Sequence, residues 1–245
     1  MSLKLPAGDA TASLRPCAHG ANAGPAALLY AVRHGQSTVN AGIRPATPAD
    51  ADDMRIELTE LGRRQAAAFG RWLASRPAAR RPELVLCSPY LRAVTTWQLA
   101  AAEFEAAGVD LPCLEVHDQL YDRHRGERAR LSISEVRERF PQEFAAEQAD
   151  PLGFRPPGGE SFHDVATRLG DVAARIERDR QHRSVLIVAH DAVVLMLRRI
   201  LEKLRDDEIL AIAEDGLAGN ASVTTWERDE RGFRLMSYDE RAHLA

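Results

Sequence analysis

The chain has 245 residues, 45% of them hydrophobic and 28% charged, with a formal net charge of −4. That length can bury a sizeable core, and the balance excludes a disordered, fibrous or disulfide-scaffold class. A mildly acidic chain has no global pull toward nucleic acid or an anionic membrane, so any phosphate site must be a local basic cluster.

Residues 1–27 are rich in Ala, Gly, Pro and Ser without periodicity, and read as a disordered or loosely attached tail. The opening MSLKLPAGDATASLRP lacks the apolar centre of a signal peptide, and no apolar run approaches the ~18 residues of a membrane span. A cytoplasmic location with no membrane partner is therefore expected. ALLYAV (27–32) is a short apolar run suited to a buried strand, and the Pro/Ala/Asp-rich stretch 41–56 reads as a loop. Thr59 offers an N-cap for a helix over TELGRRQAAAFGRWLASR, with Leu61, Ala68, Phe69 and Trp72 on one face. PELVLC (82–87) is a second strand, after which Ser88 and Pro89 read as N-cap and first residue of a helix through LRAVTTWQLAAAEF.

CLEV (113–116) can form a third, short strand, and 118–158 is loop-rich with a short helix near Ser132–Phe140. A long amphipathic helix begins at about Glu160. SVLIVAH (184–190) is the most apolar strand and leads into a helix over DAVVLMLRRILEKL. SVTTWER and FRLMSY alternate as a closing pair of strands joined at Asp229–Gly232. Strands alternating with helices of this length predict an α/β fold: three layers, α/β/α, around a mostly parallel sheet. The three cysteines, Cys17, Cys87 and Cys113, are odd in number and lack metal-ligand spacing, so no disulfide framework is expected. Cys87 closes an apolar run and reads as a buried thiol.

Ligands of such sheets sit beyond the carboxyl ends of the strands. Three predicted strands end in reactive residues at that edge: Arg33-His34-Gly35, Cys87-Ser88-Pro89 with Arg92 one helical turn on, and Ala189-His190-Asp191. A single histidine after a strand is more often structural than catalytic. Two histidines and two arginines at equivalent edge positions are harder to assign to chance.

RHGQS with Asn40, LTELGRRQA, CSPYLRAVTT, LYDRHRG, PPGGES, VAH and NASVT occur in the order found in the histidine phosphatase superfamily. The chain resembles that superfamily, which includes cofactor-independent phosphatases and cofactor-dependent phosphoglycerate mutases, from about Leu28 to Trp226. The resemblance implies the phosphoglycerate mutase-like fold, one catalytic domain over 28–245 and a lid-like insertion around 118–158. It also implies a phosphorylated small molecule or phosphoprotein as substrate, with no metal and no cofactor.

On this resemblance His34 is the nucleophile that forms a phosphohistidine, and Arg33 and Arg92 clamp the phosphoryl oxygens. His190 is a further donor to those oxygens, and Asp122 supplies the proton for the departing alkoxide. Gly35, Gln36, Ser37 and Asn40 are expected around the phosphate, and Arg123 and Arg125 around the substrate.

Departures from the mutase-like pattern bear on the branch. Asp122 stands where mutases have Glu, Arg125 replaces a Tyr, and FRPPGGES carries only Arg155 where mutases have paired arginines. Arg123, Arg125, Arg128 and Arg130 still make this region basic. They fit either a substrate with a second anionic group or a solvated charge run paired with Asp122, Glu127 and Glu135. Asp191 stands where many relatives have Gly, and reads as a helix cap turned away from the phosphate.

The expected activity is a metal-independent phosphomonoesterase. A phosphoglycerate mutase-type phosphotransferase and a catalytically weak phospho-ligand adaptor are its rivals. The oligomeric state is left open, and a nucleic-acid partner is unsupported.

Overall fold

The runs LLYAVR, LVLC and SVLIVA are buried along almost their whole length, which only strands covered on both faces allow. They become β1 (Leu28–Arg33), β2 (Leu84–Cys87) and β4 (Ser184–Ala189), beside β3 (Cys113–Val116), β5 (Val223–Asp229) and β6 (Gly232–Glu240). The computed structural model describes residues 27–43, 53–129, 131–179 and 182–245. Except for Ala27, the expected N-terminal tail lies outside the described residues, as do 44–52 of the 41–56 loop and Arg130.

The strand order is β3-β2-β4-β1-β5-β6. β1, β2, β3 and β4 run parallel, and the hairpin β5–β6 closes the sheet antiparallel to β1. Helices α1 (Glu60–Ala74) and α2 (Leu91–Ala106) cover one face; α5 (Phe162–Arg178) and α6 (Asp191–Leu201) cover the other. Alternate β1 side chains serve the two layers. Tyr30 and Val32 pack with Phe69 of α1 and Trp97 of α2, while Leu29 and Ala31 pack with Leu169 of α5 and Val194 of α6. Fully burying a side chain the size of Leu29, Val32 or Phe69 stabilises the fold by about 1.5–3 kcal/mol. The expected three-layer α/β/α architecture is what forms.

Several local expectations are corrected. α2 starts at Leu91 with Tyr90 as its N-cap, two residues later than Ser88 would place it; the Ser88 oxygen accepts from the Tyr90 N–H at 3.3 Å, ahead of the helix, and its hydroxyl lies 2.8 Å from His190 Nε2. His190, not Asp191, is the N-cap of α6. Leu61 is exposed, so the buried face of α1 runs through Ala66, Phe69 and Leu73 instead. The 118–158 stretch holds two helices, α3 (Ile133–Arg139) and α4 (Pro141–Ala149), the second unexpected. α6 ends at Leu201, and a further helix, α7 (Asp206–Asp215), follows it.

Other signals hold. Thr59 caps α1 by accepting from the Gly62 N–H at 3.0 Å, and Cys87 is a buried thiol whose pKa burial pushes far up. Among the described residues, no helix is long and apolar enough to cross a membrane.

Candidate active site

Strand register assembles the site. β1 pairs with β4 so that Arg33 lies opposite Ala189, and the His34 N–H continues the ladder to the Ala189 carbonyl at 2.9 Å. β2 pairs with β4 through Cys87 and Val188, and the Ser88 N–H donates to the Val188 carbonyl at 2.9 Å. The residues following three parallel strands therefore meet at one carboxyl edge.

The two imidazoles stand with ring centroids 5.2 Å apart, both nearly inaccessible to solvent. His34 Nδ1 lies 2.7 Å from the Gly35 carbonyl oxygen. A carbonyl only accepts, so Nδ1 carries the proton and Nε2 keeps its lone pair, toward which Arg92 Nε donates at 3.2 Å. Burial, and then the charges of His190, Arg92 and Arg33, hold the His34 pKa well below its ordinary value. His190 is lowered in the same direction by burial, then by Arg92, Arg33 and Arg168. Its Nε2 is 2.8 Å from the Ser88 hydroxyl. Its Nδ1 is buried without a hydrogen-bond partner, 3.4 Å from Asp122 Oδ2.

Arg92 is buried at the centre. Besides His34 it donates to Asp122 Oδ2 at 2.9 Å and to the Asp53 carbonyl at 2.7 Å. Its guanidinium lies 4.7 Å from the Tyr90 ring centroid. Burial pushes the Tyr90 hydroxyl up to about 12, with the Asp53 charge acting in the same direction. Arg33 donates to the Ala218 carbonyl at 2.7 Å and pairs with Asp191 at 3.0 Å, while its Nε is buried without a partner. The expectation that Asp191 turns away is thus overturned: on the first turn of α6 its carboxylate faces Arg33. Burial raises the Asp191 pKa, and Arg33 opposes the shift.

His34, Arg33, Arg92, His190 and Asp122 are brought together as expected. Gly35 makes a different close approach from the one expected. A Cβ there would fall 2.4 Å from the Gly62 carbonyl oxygen, so its smallness seats α1 against the loop. The Gln36 carboxamide oxygen accepts from Thr59 at 2.8 Å, and the Ser37 hydroxyl donates to Asn40 Oδ1 at 2.9 Å. Asn220 Nδ2 donates to the same Asn40 oxygen at 3.0 Å and to the His34 carbonyl at 3.1 Å. Gln36, Ser37 and Asn40 therefore brace the loop behind His34.

Arg123 is not brought into the pocket. It stacks 4.2 Å from the Phe162 ring centroid and donates to the Glu160 carbonyl at 2.9 Å. Arg125 is exposed at the start of the 3-10 turn Gly126–Arg128. Arg123 and Arg128 both pair with Glu147, not with Asp122, Glu127 or Glu135. Asp53, Tyr90 and Thr96, whose hydroxyl accepts from the Gly35 N–H at 3.0 Å, carried no separate signal in the sequence. Asn220 falls within NASVT, and Tyr90 and Thr96 fall within CSPYLRAVTT, so those motifs could have found them.

A neutral imidazole lone pair, two guanidinium groups, a second imidazole and the carboxyl groups of Asp122 and Asp191 meet at one sheet edge. The unpartnered Arg33 Nε is a donor that an oxyanion seated there would satisfy, and His190 Nδ1 is a second in the tautomer whose Nε2 accepts from the Ser88 hydroxyl. Such a set can attack, hold and protonate a phosphate ester. Among the described residues, no group of three or more His, Cys, Asp or Glu is placed to hold a metal ion.

Comparison with known proteins agrees with this geometry. The description "Histidine phosphatase superfamily (branch 1)" fits residues 29–241. The 2,3-bisphosphoglycerate-dependent phosphoglycerate mutase 2 of Gloeobacter violaceus is 31% identical over 195 residues, 75% of this chain and 79% of the relative. The metal-independent phosphoserine phosphatase of Arabidopsis thaliana is 30% identical over 221 residues, 89% of this chain and 83% of the relative. The chain also matches 6-phosphofructo-2-kinase/fructose-2,6-bisphosphatase of Gallus gallus, but spans only 34% of its length. A mycobacterial glucosyl-3-phosphoglycerate phosphatase solved with VO3 superposes with a TM-score of 0.70 at 29% identity, covering 88% of this chain and 100% of that one.

Proposed function

The chain belongs to branch 1 of the histidine phosphatase superfamily, and on that premise we propose that it is a phosphomonoesterase working through a phosphohistidine on His34, without a metal. The observation that carries this reading is the imidazole locked by the Gly35 carbonyl, its Nε2 lone pair directed at the guanidinium of Arg92.

The substrate phosphoryl group takes the seat between Arg92, Arg33 and His190, replacing Asp122 and Asp191 as partner of the guanidinium forks. His34 Nε2 attacks phosphorus in line: the N–P bond forms as the ester P–O bond breaks. Arg33 and Arg92 hold the equatorial oxygens, and His190 Nδ1 donates to one of them. Asp122, on the leaving-group side, gives a proton to the departing alkoxide and is left as the carboxylate. Water then attacks the phosphohistidine, yields its proton to the Asp122 carboxylate, and inorganic phosphate leaves with the imidazole restored.

Residues 28–245 act as one catalytic domain in this reading, with 118–158 as the lid that meets the leaving group of a phosphorylated small molecule. Mutase-type transfer is disfavoured by the lid arginines. Arg123 and Arg128, which could have held a second phosphate, are bound instead to Glu147 and Glu160. The experiment that tests the reading gives the protein p-nitrophenyl phosphate in excess EDTA and, separately, a phosphoglycerate with a bisphosphoglycerate primer. A phosphatase turns over the first and hydrolyses the second without interconverting it. Interconversion faster than hydrolysis identifies a mutase, and vanadate binding without turnover on either substrate identifies an adaptor.

A further inference from the structure

Asp122 sits in the stretch 121–125, which has neither helix nor strand, so no backbone ladder fixes the carboxyl group. It is also one methylene shorter than the Glu of the mutase-like pattern, which leaves its reach to depend on where the backbone stands. Asp122 Oδ1 accepts from the next N–H, that of Arg123, at 2.8 Å, and this leaves Oδ2 for Arg92 and His190.

What places that backbone is a buried ion pair at the start of α5. Arg168 donates to the Tyr121 carbonyl at 3.0 Å, to the Asp122 carbonyl at 3.4 Å and to the Gln119 carbonyl, and its plane stacks 3.7 Å from the Tyr121 ring centroid. Glu160 binds Arg168 Nε at 3.0 Å, the Tyr121 hydroxyl at 2.8 Å and the His124 N–H at 3.0 Å. The Glu160 backbone completes the grip: its N–H donates to the His124 carbonyl at 2.7 Å and its carbonyl accepts from Arg123 Nε at 2.9 Å. Burial works against the Glu160 charge, but hydrogen bonds from Arg168, His124 and Tyr121 outweigh it and hold its carboxyl below the usual range. Both side chains are largely withdrawn from solvent.

We propose that Arg168 and Glu160 are positioning residues that set the Asp122 carboxyl for proton delivery to the leaving group. This rests on the reading of Asp122 as the proton donor. Neither side chain bonds to His34, Arg33, Arg92 or His190, so their hydrogen bonds act through the loop; the Arg168 charge also reaches His190, and a lysine there keeps that charge. A planar fork reaching three carbonyls is something only Arg can supply, and a displacement of about 1 Å would break the Asp122 contacts, at roughly a hundredfold in rate.

The test compares kcat/KM on p-nitrophenyl phosphate with that on phenyl phosphate, whose leaving group needs the proton more. kcat/KM reports only the steps through departure of the leaving group. Asp122→Asn should lose about tenfold or more on phenyl phosphate beyond its loss on p-nitrophenyl phosphate. Arg168→Lys, which keeps the positive charge but not the fork, should show the same selective loss. Tyr121→Phe, which removes one hydrogen bond, should show a smaller one of about threefold.

Equal losses on both substrates in Arg168→Lys, or none on either, with the selective loss intact in Asp122→Asn, overturn the inference and leave the proton-donor reading standing. No selectivity in Asp122→Asn removes the proton-donor reading and the inference together. If Arg168→Lys does not fold, Tyr121→Phe decides, and the absence of any selective loss there overturns the inference.

Discussion

Arg92 Nε donates to the lone pair of His34 Nε2 at 3.2 Å, so the anion clamp and the nucleophile are already in register before substrate arrives. The same guanidinium reaches Asp122 through its other arm at 2.9 Å. It therefore spans the attacking atom and the carboxyl group on the leaving-group side. Lysine offers one point charge and no fork. Arg92→Lys should lower kcat/KM by at least about a hundredfold and weaken vanadate binding in parallel. A loss below tenfold in steady-state kinetics would remove Arg92 from the centre of the account.

The pH dependence follows from the two buried imidazoles. Both pKa values lie well below the ordinary 6.5, so His34 remains a neutral nucleophile as the pH falls through 6.5. The plot of kcat/KM against pH should show no loss of His34 at that value. Stability has the matching sign. Between 6.5 and the folded-state values the unfolded chain binds more protons, so the contribution is complete above 6.5 and declines as the pH drops below it. Thermal unfolding from pH 7.5 to 5 should show Tm falling, and falling less in His34→Gln. An equal fall in both proteins would count against the buried neutral His34.

Asp191 holds Arg33 at 3.0 Å while Ala218 holds the other end of the guanidinium at 2.7 Å. Asparagine keeps an acceptor for Arg33 and removes a charge that repels the phosphoryl group. Asp191→Asn should bind inorganic phosphate about fivefold more tightly, on the order of 1 kcal/mol, and keep turnover within about tenfold. A loss of turnover beyond a hundredfold would show that the carboxylate itself acts in the chemistry.

Two glycines fasten α1 to the loop that carries His34. A Cβ on Gly62 would fall 2.0 Å from the Gln36 carbonyl oxygen, and one on Gly35 would fall 2.4 Å from that of Gly62. Gly62→Ala must push the helix away from the loop. It should destabilise the fold by about 1–3 kcal/mol in urea unfolding and reduce kcat/KM together with it. An unchanged unfolding midpoint would show that the close approach is not needed.

The strands were legible because a strand buried on both faces is a continuous apolar run, and SVLIVA can be little else. The edge residues His34 and His190 followed from those strands. Partnerships made only by the fold were not legible. Ser88 has the chemistry of a helix cap, but α2 starts two residues later than that predicts, and the hydroxyl also meets His190 from a distant strand end. Asp191 reads locally as a cap, and its partner Arg33 lies on a different strand. α4 buries none of its side chains and α7 buries only Ile209, so neither carried a strong apolar stripe to be read. The basic stretch from Arg123 to Arg128 is ambiguous in the sequence because its partners, the Glu147 carboxylate and the Glu160 backbone carbonyl, come from later in the chain.

The central claim is that phosphorus is transferred to His34 Nε2. Rapid alkali-quench of the protein during turnover of a phosphate monoester, followed by peptide mapping at alkaline pH, tests it directly. The account predicts an acid-labile, alkali-stable phosphoryl group on the peptide containing Arg33-His34-Gly35, formed at least as fast as turnover and absent in His34→Ala. Undiminished turnover in His34→Ala, or a label on any other residue, would contradict it.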